Sequence, residues 1–151
     1  MRFYAKLSVH DTIAAMERNE ADYTIIFDGG ARGNPGEGYG SYELRTRAQR
    51  RIERLSFGEN VTNNEAEYQT LIAALRDVLT HLAASDASPK SYTLAVRGDS
   101  QLVIFQVTGK WKVKTPHIRP LHAEATALLA RFKRADVQWQ PRAMSVRTLG
   151  H

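Results

Sequence analysis

The sequence predicts an α/β fold: a five-stranded mixed sheet, three antiparallel strands followed by two parallel ones, flanked by helices. Three observations carry this expectation. Three β-rich runs separated by turn residues occupy positions 23–58, ahead of any long helical pattern. Two long stretches with apolar residues at three- and four-residue steps follow, over 63–82 and 118–134. Each stretch precedes a further β-rich run, and right-handed helical crossovers set such strands parallel to the first.

The elements follow in order. Tyr23-Thr24-Ile25-Ile26-Phe27 is rich in β-branched and aromatic residues and ends at Asp28. The glycine-rich segment 29–38, with Pro35, is expected to be a sharply turning loop. Residues 39–46 and 50–58 alternate in part, which suits an antiparallel pair with one wet face and completes a meander. Residues 63–82 form the strongest helix, because Tyr68, Leu71, Ile72, Leu75, Val78, Leu79 and Leu82 share one stripe. Thr62 or Asn63 can cap it, with acids in the first turn suiting the positive end of its dipole. A polar linker over 83–90 leads to a strand at 92–97, then Gly98-Asp99 and a short helix at 100–107. The loop 109–116 carries Lys110, Trp111, Lys112 and Lys114. A second long helix is expected over 118–134, and a last strand over 137–140. The tail 141–151 is too short for a full additional helix. Residues 1–22 are expected to be an N-terminal extension, with a possible short helix over 9–18, ahead of a domain at 23–151.

Composition narrows the chemistry. A chain of 151 residues suits one domain that needs no disulfide or metal staple. The absence of cysteine excludes Cys-ligated zinc, iron–sulfur clusters, thiol catalysis and disulfides. Lys and Arg total 21 against 16 Asp and Glu, a net charge of +5 that points to a polyanionic partner, nucleic acid first. No apolar run approaches the roughly 18 residues of a membrane span, so a membrane partner is not expected. Residues 1–23 lack the apolar core of a signal peptide, and the expected location is cytoplasmic.

Three acids stand where the chain can bring them together. Asp28 ends the first strand, and Asp99 ends the fourth, which crossover rules place beside it. Glu67 sits in the first turn of the long helix, with Glu65 as its neighbour; side chains two apart on a helix diverge by about 200°, so only one can face the others. Clustered carboxylates repel unless cations lie between them, and hard oxygen donors without sulfur suit Mg²⁺ or Mn²⁺. Each residue also has a plainer role. Asp99, Asn63 and Asn64 can be helix caps, the three lysines can be a solvated face, and Trp111 can pack into the core.

The segments Thr24-Ile25-Ile26-Phe27-Asp28-Gly29-Gly30-Ala31-Arg32-Gly33-Asn34-Pro35-Gly36, Thr62-Asn63-Asn64-Glu65-Ala66-Glu67-Tyr68 and Gly98-Asp99-Ser100-Gln101-Leu102-Val103 together resemble the type 1 ribonuclease H family. Gly109-Lys110-Trp111-Lys112-Val113-Lys114 looks like its compact bacterial and archaeal branch. The resemblance covers residues 23–142 and picks Glu67 over Glu65. It implies a ribonuclease H-like fold and a monomeric endonuclease that hydrolyses the RNA strand of RNA/DNA hybrids to 5′-phosphate and 3′-hydroxyl products. It implies two Mg²⁺ (or Mn²⁺) ions, bridged by Asp28, with Glu67 and Asp99 holding one each or sharing through water. Asn34, Asn63, Asn64 and Gln101 would contact the minor groove, where 2′-hydroxyls mark RNA. The backbone of Gly29, Gly30 and Ala31 would approach the RNA closely, and Thr62 would help hold a DNA-strand phosphate.

One departure stands out. The family usually places a fourth acid in a C-terminal helix after a Trp-x-Pro-Arg segment. Trp139-Gln140-Pro141-Arg142 is present, but the spacing puts Leu149 at the acid's place. His151, two residues on, is expected to replace it as ligand or proton carrier, with the terminal carboxylate as a second candidate. An imidazole ligand would favour Mn²⁺. Two rival readings remain: a hybrid-binding module weakened by loss of the fourth acid, and another nuclease on the same fold.

Overall fold

A computed structural model describes residues 5–6, 8–9 and 20–150. His151 and residues 10–18 of the candidate N-terminal helix lie outside the described residues. The sheet contains β1 (Ala5–Lys6), β2 (Tyr23–Gly33), β3 (Gly36–Arg45), β4 (Gln49–Val61), β5 (Thr93–Gly98) and β6 (Arg134–Trp139). Their order is β1-β4-β3-β2-β5-β6. The five predicted strands are present, with β2, β3 and β4 antiparallel and β5 and β6 parallel to β2. Two residues of β1 add to the edge of β4. The helices are α1 (Asn63–Ala84), α2 (Gln101–Val107), α3 (Arg119–Leu129) and α4 (Arg142–Leu149). No helix among the described residues is long and apolar enough to cross a membrane.

The apolar stripe of α1 covers one face of the sheet. Tyr68, Leu71, Leu75 and Val78 are fully enclosed against Ile25 and Phe27 of β2 and Val96 of β5. A polar clamp fixes the far half of α1 to the sheet. Asp77 accepts hydrogen bonds from the Tyr42 hydroxyl (2.5 Å) and from Arg51 Nη2 (2.8 Å), and Arg51 also donates to Glu53. Arg51 is buried, and an enclosed guanidinium is tolerated because two carboxylates meet it.

Three expectations need correction. Residues 29–38 are not a loop: β2 and β3 stay paired down to Gly33↔Gly36. Their glycines mark close approach of α1 to the sheet. A Cβ at Gly29 would lie 2.7 Å from the Ala66 carbonyl oxygen, and one at Gly40 would overlap the Thr70 hydroxyl. The second long helix stops at Leu129 rather than continuing to 134. There Phe132 turns into the core, Lys133 N–H donates to Tyr92 O (3.0 Å), and β6 begins its ladder at Arg134↔Thr93. The C-terminal segment does form a helix, α4. Packing supplies what length does not: Leu149 is 1% exposed, Gln140 Nε2 donates to Ser145 Oγ, and Arg54 Nη2 donates to Leu149 O. Gly150, at φ 81°, closes its end with an N–H bond to Val146 O.

Candidate active site

The parallel ladder between β2 and β5 ends at Phe27↔Gly98. Asp28 and Asp99 are therefore the next residues on two adjacent strands just as these separate. Asp28 lies within β2, still paired to Ser41 of β3, rather than at its end as the sequence suggested. The missing side chain of Gly29 lets the first turn of α1 come down on β2, and the Gly29 N–H donates to the Glu67 carboxylate. Asp28, Glu67 and Asp99 each offer a carboxylate oxygen within 4.8 Å of the others.

Electrostatics make this arrangement costly without cations. Asp28 and Glu67 are buried, and Glu67 Oε2 and Asp99 Oδ2 receive no hydrogen bond. Burial, then the charge of Asp28, holds the Glu67 carboxyl well above the ordinary carboxylate range, against the opposing Gly29 bond. Burial and Asp28 also raise Asp99, while Arg142 opposes them. Converging, incompletely bonded carboxylates are the donor set of a hard divalent cation, so these residues fit one.

Local capping resolves the competing roles. The N-cap of α1 is Thr62, whose hydroxyl accepts from Glu65 N–H while Glu65 accepts from Thr62 N–H. Glu65 is thus occupied, and the Thr62 hydroxyl keeps its own proton to donate. The cap of α2 is Ser100, which leaves the Asp99 carboxylate free of that duty. Asn63 Oδ1 accepts from Ala31 N–H (2.8 Å), and Asn34 Oδ1 accepts from Asn63 N–H (3.1 Å). These bonds tie the β2–β3 turn to the start of α1. Asn64 and Gln101 are exposed. Gly30 faces the phenol of Tyr39, so small residues here answer packing within the chain. Trp111 is 46% exposed and stacks edge-on against Phe105 at 5.0 Å, which removes the core reading. Leu149, at the place where the resemblance expects an acid, is core.

Arg142 escaped the sequence reading, which used its segment only to locate the missing acid. That segment is strapped beside Asp99. Trp139 Nε1 donates to Asp99 O (3.1 Å), Gln140 N–H donates to Gly98 O, and Arg142 Nη1 lies 3.8 Å from Asp99 Oδ2. The signal was present in the motif: an arginine four residues beyond the Gln138 of an ordered strand, next to a proline that ends it.

Residues 27–147 match the family described as reverse transcriptase-like. The ribonuclease HI of Halobacterium salinarum is 37% identical over 124 residues, 80% of this chain and 57% of that protein. The structure of LC11-RNase H1 in complex with an RNA/DNA hybrid superposes with a TM-score of 0.72 at 30% identity, covering 83% of this chain and 89% of that one.

The chain belongs to the type 1 ribonuclease H family.

A third similarity within this ribonuclease H group is to the bifunctional protein Rv2228c of Mycobacterium tuberculosis, 40% identical over 127 residues and 79% of this chain. The chain spans 31% of the length of that relative. The LC11 superposition carries the ribonuclease H fold, with its antiparallel and parallel strand sets, over most of the described residues.

Proposed function

We propose that this protein hydrolyses the RNA strand of RNA/DNA hybrids, leaving 5′-phosphate and 3′-hydroxyl ends, in a divalent-metal-dependent reaction. The observation that carries the reading is the convergence of Asp28, Glu67 and Asp99 within 4.8 Å, with two of their oxygens unbonded, in a member of this family. In this reading residues 23–151 are the catalytic domain, residues 1–22 an extension, and the protein acts as a cytoplasmic monomer.

Asp28, Glu67 and Asp99 would hold two Mg²⁺ (or Mn²⁺) ions, which when bound supply an activated water and charge neutralisation at the scissile phosphate. The chain's own groups do the rest. Asn34 and Asn63, locked to each other and to Ala31, present a rigid turn toward the minor groove. Asn64 and Gln101, exposed beside the acids, select 2′-hydroxyls. Thr62 donates its hydroxyl proton to a DNA-strand phosphate. Lys110, Lys112, Lys114 and Trp111 project from a loop fixed by Gln106 and supply non-specific grip. Arg142 steadies Asp99 and meets phosphate charge. Contacts to sugars and phosphates carry no base code, so cleavage is independent of sequence. His151 fills the role of the fourth acid in this reading.

One observation favours a second reading, a hybrid-binding module with weakened catalysis: the fourth acid's place is taken by a buried leucine. A single assay separates them. A hybrid labelled on each strand is incubated with Mg²⁺ or Mn²⁺, and products and turnover are followed. Multiple-turnover internal cuts confined to RNA support the nuclease. Binding without turnover supports the module, and stepwise loss from a 3′ end would assign a different nuclease. His151→Ala with wild-type rates in both metals removes His151 from the site.

A further inference from the structure

A crevice of about 230 Å³ lies between α4 and strands β3 and β4, sharing no residue with the three-acid site. That is several times the roughly 30 Å³ share of one water molecule. Its charged lining is Glu43, Arg45, Arg50 and Arg147. Glu43 is 0% exposed. Arg45 Nε donates to its carboxylate at 3.0 Å, and Arg50 Nη1 lies 3.8 Å away. Arg45 and Arg50 are direct partners across the β3–β4 ladder, so one enclosed negative charge holds two adjacent guanidinium groups in place. Glu43 Oε2 receives no hydrogen bond, which leaves Arg50 held by charge alone and open to another acceptor. Arg147 enters from the opposite wall, at the last turn of α4, with no acid paired to it among the described residues. Among the described residues, three guanidinium groups thus face one carboxylate, an excess of positive charge around a concave space.

This arrangement selects a class of ligand. Guanidinium forks match the oxygens of a phosphate group, and forks already fixed by an acid lose little freedom on binding. Thr148 lines the same space and adds a hydroxyl donor. Among the described residues no aromatic side chain lines the crevice, and the guanidinium groups are its means of recognition. Arg45 also lines a neighbouring cleft of about 580 Å³, where Arg97 and Arg134 are accompanied by the acids Glu20 and Asp136. In that cleft Arg97 is taken up by Asp136 at 3.0 Å, so the excess charge concentrates around Arg45, Arg50 and Arg147.

We propose that this crevice is a second, phosphate-binding site, taking either a free phosphate-bearing molecule or a phosphodiester of a nucleic-acid strand. It is independent of whether the three acids cleave RNA. The test follows backbone amide signals of the full-length chain during titration with inorganic phosphate and, separately, with an oligothymidylate. Expected are shifts at residues 144–148 and 43–50. An Arg50→Ala/Arg147→Ala double variant weakens the effective probe about tenfold and leaves hybrid cleavage unchanged. Response to phosphate alone assigns a small-molecule phosphate. Response to the oligothymidylate, with a shallower salt dependence in the variant, assigns a strand. Absence of shifts at these residues with both probes overturns the proposal, as does a double variant that binds the effective probe as tightly as the wild type. Should loss of Arg50 unfold the chain, Arg147→Glu, at an exposed helix position, is expected to abolish the response by itself; an unchanged response overturns the proposal.

Discussion

Gly29→Ala tests how packing positions chemistry. The new Cβ would sit 2.7 Å from the Ala66 carbonyl oxygen, 2.8 Å from its carbon and 2.9 Å from Glu67 N, where ordinary contacts begin at 3.4 Å. All three atoms are backbone, so no side chain can swing away; α1 must lift from β2 by several tenths of an ångström. Overpacking of this kind costs about 1–3 kcal/mol, which lowers Tm by about 2–12 °C in a domain of this size. The lifted turn carries Glu67 and breaks the Gly29 N–H bond to it, so misplacement should lower hybrid cleavage by about tenfold or more. Gly30→Ala is the internal comparison, because its Cβ meets only the end of the Tyr39 side chain, at 2.8 Å, and should cost less. Thermal unfolding and initial cleavage rates measure both. Wild-type Tm and activity in Gly29→Ala would refute the idea that backbone contact between α1 and β2 sets the position of Glu67.

Three further outcomes are expected. Glu67 has a raised native pKa, so without metal its contribution favours folding at acidic pH and is lost as pH rises from the ordinary carboxylate range toward that raised value. Glu67→Gln should therefore raise the neutral-pH Tm in chelator, by about 2–4 °C per kcal/mol of relief, while abolishing stabilisation by added Mg²⁺; Tm against pH measures both effects. Arg142→Ala removes an exposed cation, so Tm should hold while kcat/KM falls roughly three- to tenfold. Because Arg142 opposes the rise of Asp99, the acid limb of the pH–rate profile should move to higher pH in that variant. Leu149→Ala should cost about 2–5 kcal/mol in chemical unfolding, and Leu149→Asp should destabilise the chain at least as much rather than improve cleavage, because the position is core.

Much of this architecture was legible because its signals are local. The stripe from Tyr68 to Leu82 needs only helical periodicity, and it lies buried as read. The parallel setting of β5 and β6 follows from crossover handedness alone. Asp28, Glu67 and Asp99 stood out because the passage from a β-rich run into glycine or a capping residue and the start of a helical stripe have sequence marks of their own, although Asp28 proved to lie within its strand. What escaped depends on distant partners. Gly29 and Gly40 carry the same letter as loop glycines, and only the helix above them shows why they are small. The eight residues of α4 are too few to hold a helix alone, and their order comes from Leu149, Ser145 and Arg54 meeting across 95 positions of sequence. Arg142 gained meaning only when Trp139 and Gln140 were seen bonded to the Gly98-Asp99 turn. The crevice around Glu43 needed three elements at once.

The central claim is that three distant carboxylates form one divalent-cation site. Anomalous diffraction from crystals soaked in Mn²⁺ tests it most directly. Manganese peaks in contact with Asp28, Glu67 and Asp99, lost in Asp28→Asn, are the expected result. An empty cluster under saturating Mn²⁺, or peaks bound elsewhere, would contradict it.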